Sequence, residues 1–244
     1  MQWSAARPRA ASAAEVGRRS TASRLGMTLE SRAVFITFEG IEGSGKSTQL
    51  RRLAALLRER GGTVVTTKEP GGTAIADRIR AILLDSKNVI DPIAEVLLFG
   101  ASRRQHTVEV IRPASERGEI VLCDRYADST LAYQGFGRLL NLDQLRTLNR
   151  WATGDLDPDL TLLFDLPEEV GLSRAVRRNS RAADDEGRFE AENVRFHRRV
   201  REGYLALAGE EPSRFAVVDA SGTIEEVFER TLAMLRTRLP ELLP

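Results

Sequence analysis

Five short apolar runs punctuate the chain, and between them apolar residues recur at helical spacing. Ala33-Val34-Phe35-Ile36-Thr37-Phe38, Thr63-Val64-Val65-Thr66-Thr67, Ile120-Val121-Leu122-Cys123-Asp124, Leu160-Thr161-Leu162-Leu163-Phe164-Asp165 and Phe215-Ala216-Val217-Val218-Asp219 are rich in β-branched and aromatic residues. Runs of that length and composition predict buried strands. Leu50, Leu53, Ala54 and Leu57 fall at i, i+3, i+4 and i+7, one face of a helix that ends at Gly61-Gly62. Ile75, Ile79, Ile82 and Leu83 mark a second helix, which carries Arg78 and Arg80. A long helical stretch over residues 92–117 has Ile93, Val96, Leu97, Val108 and Ile111 as its expected apolar positions. Further helices are predicted over 142–152, 168–179, 190–208 and 223–237. Strands alternating with helices imply right-handed βαβ units. The expected class is α/β: a five-stranded parallel sheet with helices on both faces.

Composition narrows this picture. A chain of 244 residues, 42% hydrophobic and 29% charged, suits one soluble globular domain or a domain with a tail. No apolar run approaches the length needed to span a bilayer, so no membrane partner is expected. A formal net charge of +1 argues against broad electrostatic binding to nucleic acid. The single Cys123 forms no internal disulfide, and a reducing, cytoplasmic setting is the simplest reading. Residues 1–31 stand apart, rich in Ala, Ser and Arg; they read as a disordered extension or as residues ahead of a true start at Met27.

The chemistry enters at Gly40-Ile41-Glu42-Gly43-Ser44-Gly45-Lys46-Ser47, followed by Thr48. This is the P-loop pattern G-x-x-x-x-G-K-[ST], and it lies where the pattern has physical meaning, between a strand and a helix. Backbone N–H groups and a helix N-terminus then surround one small space suited to phosphate oxygens. Lys46 is placed to reach the β- and γ-phosphates of ATP, and the Ser47 hydroxyl to bind Mg²⁺. Asp124 ends an apolar strand, the Walker-B arrangement, and is the second expected ligand of Mg²⁺. Lys68-Glu69-Pro70-Gly71-Gly72-Thr73 is a turn-rich loop at a strand's C-terminal end, where ligands of open α/β sheets collect. Between Arg174 and Arg201 stand nine arginines against five acidic residues. The polar stretch Asn179 to Gly187 within it predicts a loop able to close over phosphates, so a lid is expected over about 174–190. Residues 32–244 then form one domain.

Taken together, these segments resemble the bacterial thymidylate kinase family. The resemblance runs from about Val34 to Leu235 and rests on Phe38-Glu39-Gly40-Ile41-Glu42-Gly43-Ser44-Gly45-Lys46-Ser47-Thr48, Glu69-Pro70-Gly71-Gly72-Thr73, Leu97-Leu98-Phe99 with Arg103 and Gln105-His106, Asp124-Arg125-Tyr126, Ala132-Tyr133-Gln134-Gly135, Asp157-Pro158-Asp159 and Gly171-Leu172-Ser173-Arg174. It implies a homodimer that transfers the ATP γ-phosphate to dTMP with Mg²⁺, a step towards dTTP. By the same resemblance Phe99 stacks on thymine, Arg103 bonds its edge, and Tyr133 selects deoxyribose with Thr130 and Gln134 beside it. Glu42 touches the sugar 3′-hydroxyl, Arg125 binds the acceptor phosphate, and Arg80 is a second group for that anion. Members of that family carry the catalytic arginine either in the P-loop, which holds none here, or in the lid; the chain resembles the latter, which implies catalytic arginines at Arg174 and Arg178. The chain departs from the family pattern at Val176, at Lys68, and in Gly187-Arg188-Phe189-Glu190. His106 and His197 read as structural. Two alternatives remain open: another nucleoside monophosphate or deoxynucleoside kinase on the same scaffold, and a P-loop ATPase or switch, against which stands the lack of a guanine-reading Asn-Lys-x-Asp.

Overall fold

The computed structural model describes residues 33–179, 187–189 and 191–243, with the side chains of Arg178 and Asn179 left out. The extension expected over 1–31, the middle of the expected lid and the side chain of Arg178 therefore lie outside the described residues. In chain order, β1 (Val34–Glu39), α1 (Lys46–Glu59), β2 (Val64–Lys68) and α2 (Ala74–Leu84) form the first part. Next comes α3 (Pro92–His106), which runs through a π-helical turn, Thr107–Ile111, into α4 (Arg112–Glu116) and then β3 (Ile120–Asp124). The short α5 (Ala127–Thr130) likewise runs into a π-helical segment, Leu131–Gly137, and α6 (Leu142–Thr153) follows. The chain closes with β4 (Leu160–Asp165), α7 (Glu168–Asn179), α8 (Val194–Glu210), β5 (Phe215–Asp219), α9 (Ile224–Arg238) and a 3₁₀ turn.

All four strand pairings are parallel, in the order β2-β3-β1-β4-β5. Parallel strands are covered on both faces, so alternate residues of β1 go to different cores. Val34, Ile36 and Phe38 pack with Leu53, Leu57 and Leu235 from α1 and α9. Phe35 packs on the other side with Ile111, Ala114 and Tyr126. Thr37 and Glu39 follow it on that side, where Thr37 bonds the Thr161 hydroxyl at 2.9 Å. On the first side β1 and β4 are apolar along their length, while the other side turns polar towards the C-terminal strand ends.

Three sequence expectations are corrected here. Ile75, Ile82, Ile93, Leu97 and Val108 were expected to face the core, yet each is about half exposed. The buried positions of α2 are Ala76 and Leu83, and those of α3 include Glu95, Ser102, Arg103 and His106. The inner face of α3 lines a polar cleft, so apolar periodicity reported its outer face instead. Secondly, the helix expected over 190–208 starts at Val194, because the Asn193 side chain accepts from Phe196 N and caps it. Thirdly, the π-helical segments interrupt regions that apolar spacing alone renders as loop or plain helix.

The P-loop is held by close backbone approach. Gly43 has φ +72, and a Cβ there would lie 2.0 Å from the carbonyl oxygen of Gly171 on α7. A Cβ on Gly171 would in turn meet the Glu42 carbonyl oxygen at 2.5 Å. Changing Gly43 to Ala should therefore cost the strain of a left-handed side-chain residue, about 1–2 kcal/mol, and also push α7 off the loop. The expected result is a lower denaturation midpoint that ATP restores less than in the wild type.

Candidate active site

The loops that follow β1, β2 and β3 converge on one cleft of about 1220 Å³. At one end lies the P-loop. Gly45 precedes α1 in the left-handed region (φ 87), and no side chain caps the helix, so its first N–H groups are open to an anion. Lys46 is 6% exposed and its ammonium donates to Ile41 O (2.7 Å) and Ser44 Oγ (3.2 Å). Burial, reinforced by the Arg125 charge, brings its pKa down to about 8. Ser47 Oγ donates to Asp124 Oδ2 across the mouth of the loop, so the two expected metal ligands stand together. A hydroxyl and a carboxylate oxygen facing a phosphate cradle form a hard donor set that fits Mg²⁺.

Arg125 follows at φ 70, an uncommon backbone state for a residue with a side chain. Its Nη2 donates to Glu42 Oε1 and to the Tyr133 hydroxyl, both at 3.0 Å. Its Nη1 reaches Gly40 O (3.0 Å) and the Tyr204 hydroxyl (3.2 Å). Tyr133 also donates to Glu42 Oε1 at 2.6 Å. Burial alone would raise the Glu42 carboxyl, but Arg125, His197 and Lys46 hold it well below the usual carboxylate range. Glu42, Arg125 and Tyr133, expected around the acceptor's phosphate and sugar, are therefore brought together.

At the far end Phe99 lies 6.1 Å from Phe189, whose ring also meets Tyr133 edge-on at 5.5 Å. Phe189 was noted in the sequence only as a departure from the family pattern, yet it lines this end of the cleft. Arg103 is here too, 1% exposed. It donates to Glu69 Oε2 (2.8 Å), Thr130 Oγ1 (2.9 Å), Asn149 Oδ1 (2.8 Å) and Tyr126 O (2.9 Å). Four of its five N–H groups thus hold the wall together, a demand that sequence spacing does not reveal. Gln134 is buried and donates to Glu95 Oε1 at 2.8 Å. Arg80 lines the cleft with Nη1 on Pro70 O at 3.0 Å. His106 is structural, between Thr67 (2.6 Å) and Glu69 (3.0 Å).

The lid arginines are less converged. Arg174 lies against Ala220 O at 3.5 Å, in a smaller hollow of about 230 Å³ on the other flank of the P-loop. It is not among the residues lining the main cleft. Arg188, by contrast, folds inward and donates to Glu95 Oε2 at 2.6 Å and to Leu83 O. Glu95, fully buried, also receives Arg138 at 3.2 Å and so ties the 187–189 segment to the cleft wall. Glu95 and Tyr204 escape sequence reasoning because their partners are distant in the chain; Glu69 was visible in the Glu-Pro-Gly-Gly-Thr motif.

A parallel sheet with a P-loop, a hydroxyl–carboxylate pair at its mouth and an arginine-held second pocket in one cleft defines a phosphotransferase of the nucleoside monophosphate kinase type. Comparison with known proteins is specific. The family profile described as thymidylate kinase matches residues 38–231. Thymidylate kinase from Geobacter sulfurreducens is 55% identical over 208 residues, spanning 84% of this chain and 98% of that one. Thymidylate kinase from Syntrophotalea carbinolica is 56% identical over 198 residues, 80% and 92% of the two chains. The crystal structure of thymidylate kinase from Ehrlichia chaffeensis superimposes with a TM-score of 0.68 at 33% identity, covering 83% of this chain and 98% of that chain. The chain belongs to the thymidylate kinase family.

Glu39 gives the site a pH signature. Burial and the nearby Asp128 raise its carboxyl from 4.5 to about 7, against the opposing pull of Arg125 and of the Ser129 and Tyr204 hydroxyls. A carboxyl raised on folding binds more protons in the native state, so its contribution is complete below about pH 4.5 and is lost as pH rises to about 7. Urea denaturation at pH 5 and pH 8 should show the wild type losing stability relative to Glu39→Gln over that interval.

Proposed function

We infer that this chain transfers the γ-phosphoryl group of ATP to dTMP, giving dTDP and ADP. The observation that carries the reading is the single cleft that joins the P-loop to the Phe99/Arg103 pocket, with Glu42 and Arg125 between them. Phosphoryl transfer asks the protein for position and charge rather than covalent chemistry. P-loop N–H groups and Lys46 hold the β- and γ-phosphates of ATP, while Gly40, Ile41, Glu42, Gly43, Ser44, Gly45 and Thr48 shape the cradle. Ser47 and Asp124 would hold Mg²⁺, which neutralises phosphate charge when bound. Arg125 exchanges part of its contact with Glu42 for the acceptor phosphate, with Arg80 nearby. Phe99 offers its ring to the base and Arg103 bonds its edge, while Tyr133, Thr130 and Gln134 stand beside the sugar. Arg174 and Arg178, carried on α7, reach the transferring group when the lid closes and water is excluded.

A coupled ADP-release assay tests this directly. With ATP and Mg²⁺, turnover should be greatest with dTMP, lower with dUMP, poor with the ribose analogue, and at background with AMP or no acceptor. Equal turnover without acceptor would leave only an ATPase.

The same chain is proposed to act as a homodimer in a cytoplasmic setting, the latter in keeping with the free, buried Cys123. Among the described residues no helix is long and apolar enough to cross a membrane. Ile75 and Ile82 on α2, Ile93 and Leu97 on α3, and Trp151 on α6 are 48–75% exposed, on helices that pack side by side with α3 in the middle. An apolar face of this kind favours a second copy. Leu97→Glu should convert a dimeric mass in light scattering to a monomeric one; an unchanged mass would place any self-association elsewhere.

A further inference from the structure

α8 runs behind the P-loop and adds nothing to the lining of the cleft. Two of its buried residues nonetheless face the site. His197 and Tyr204 stand seven residues apart, two turns of one face, and are 0% and 1% exposed. The Tyr204 hydroxyl donates to Glu39 Oε2 at 2.7 Å and accepts from Arg125 Nη1 at 3.2 Å, with Ser129 Oγ 2.9 Å away. His197 Nδ1 lies 3.4 Å from Glu42 Oε2. That oxygen makes no hydrogen bond among the described residues, and neither does either nitrogen of His197.

Buried polar atoms without partners are costly and uncommon, so two orphaned atoms standing 3.4 Å apart, Glu42 Oε2 and His197 Nδ1, call for a cause. Glu42 Oε1 is already committed to Arg125 and Tyr133. Its second oxygen has the imidazole as the neighbour able to offer an N–H, at a distance that a small shift of the P-loop would make a full hydrogen bond. A histidine serving only to fill the core would bond to backbone or to a neighbouring side chain, as His106 does.

We propose that His197 and Tyr204 are positioning residues for the acceptor: His197 orients the Glu42 carboxylate and Tyr204 the Arg125 guanidinium, so that the acceptor's sugar and phosphate meet groups already set in place. Neither touches substrate; each acts through its partner. The inference rests on the reading of Glu42 and Arg125 as acceptor-binding groups.

Steady-state kinetics on the full chain, varying ATP and dTMP separately, tests it with Tyr204→Phe, His197→Ala and His197→Asn, and with Arg125→Lys as reference. A hydrogen bond to a charged group corresponds to about a tenfold change or more. Tyr204→Phe and His197→Ala should lower kcat/KM for dTMP by about that factor while KM for ATP stays within about twofold of wild type. His197→Asn should recover most of the loss, since its amide nitrogen sits one bond from Cγ as Nδ1 does. A fall in melting temperature with both substrates affected equally, or with neither affected, would assign the two residues to packing alone and overturn the proposal. If Arg125→Lys raises KM for dTMP and the α8 variants do not, the positioning inference fails by itself. If Arg125→Lys also leaves dTMP kinetics unchanged, the assignment of Arg125 to the acceptor fails and the inference falls with it.

Discussion

The guanidinium of Arg125 ties the site together. From the end of β3 it bonds the P-loop at Gly40 and Glu42, the π-helical segment at Tyr133 and α8 at Tyr204. Its backbone adopts φ 70 and donates to Phe38 O at 3.0 Å, which binds the β3 end to the β1 end. Strain of that sort survives only where surrounding contacts over-determine it. Here the contacts are charge-assisted and mostly buried, so the P-loop and the Tyr133 wall of the cleft share one electrostatic anchor. Burial would otherwise neutralise Glu42; the neighbouring cations keep it ionised.

The two faces of the sheet divide the labour. Beneath α1 and α9 the packing is apolar along the full length of β1 and β4 and over Ile120 and Leu122 of β3, which gives the P-loop a rigid floor. On the opposite side the core gives way to Thr37, Thr161, Glu39 and Asp128 near the strand ends. Asp128 is met there by Arg214 at 2.6 Å, and Glu39 by Tyr126 N at 2.7 Å. Such a polar interior is tolerable because its members bond one another. The apolar stripe of α3 faces outward for a like reason: its inner side carries Arg103, Glu95 and His106, which bond polar partners of their own along the cleft wall.

Arg103 and Glu95 show how single side chains join several elements at the wall of the cleft. Arg103 joins the loop after β2, α5 and α6 through Glu69, Thr130 and Asn149, and the wall of the cleft beside Phe99 is built by those same bonds. Glu95 gathers Gln134, Arg138 and Arg188, so the segment that bears Phe189 is docked by a buried carboxylate on the helix that bears Phe99. The aromatic end of the cleft and residues 187–189 are therefore mechanically linked.

Much of this was legible locally. Strand–loop–helix spacing determined the P-loop, alternating strands and helices determined the parallel sheet, and Asp124 at a strand end met Ser47 as the pattern requires. The quoted motifs also picked out Phe99, Tyr133 and Arg125, because each lies in a short segment whose backbone position follows from the elements beside it. Tertiary structure alone decided which face of α2 and α3 is buried, that Arg103 and Gln134 are bound into the wall, and that His197 and Tyr204 stand behind Glu42 and Arg125. The reason is one of range. Periodicity reports neighbours three or four residues apart, whereas Tyr204 meets Glu39 across 165 positions and Arg188 meets Glu95 across 93. Those pairings exist only once the sheet has brought its strand ends, and the helices behind them, to one place.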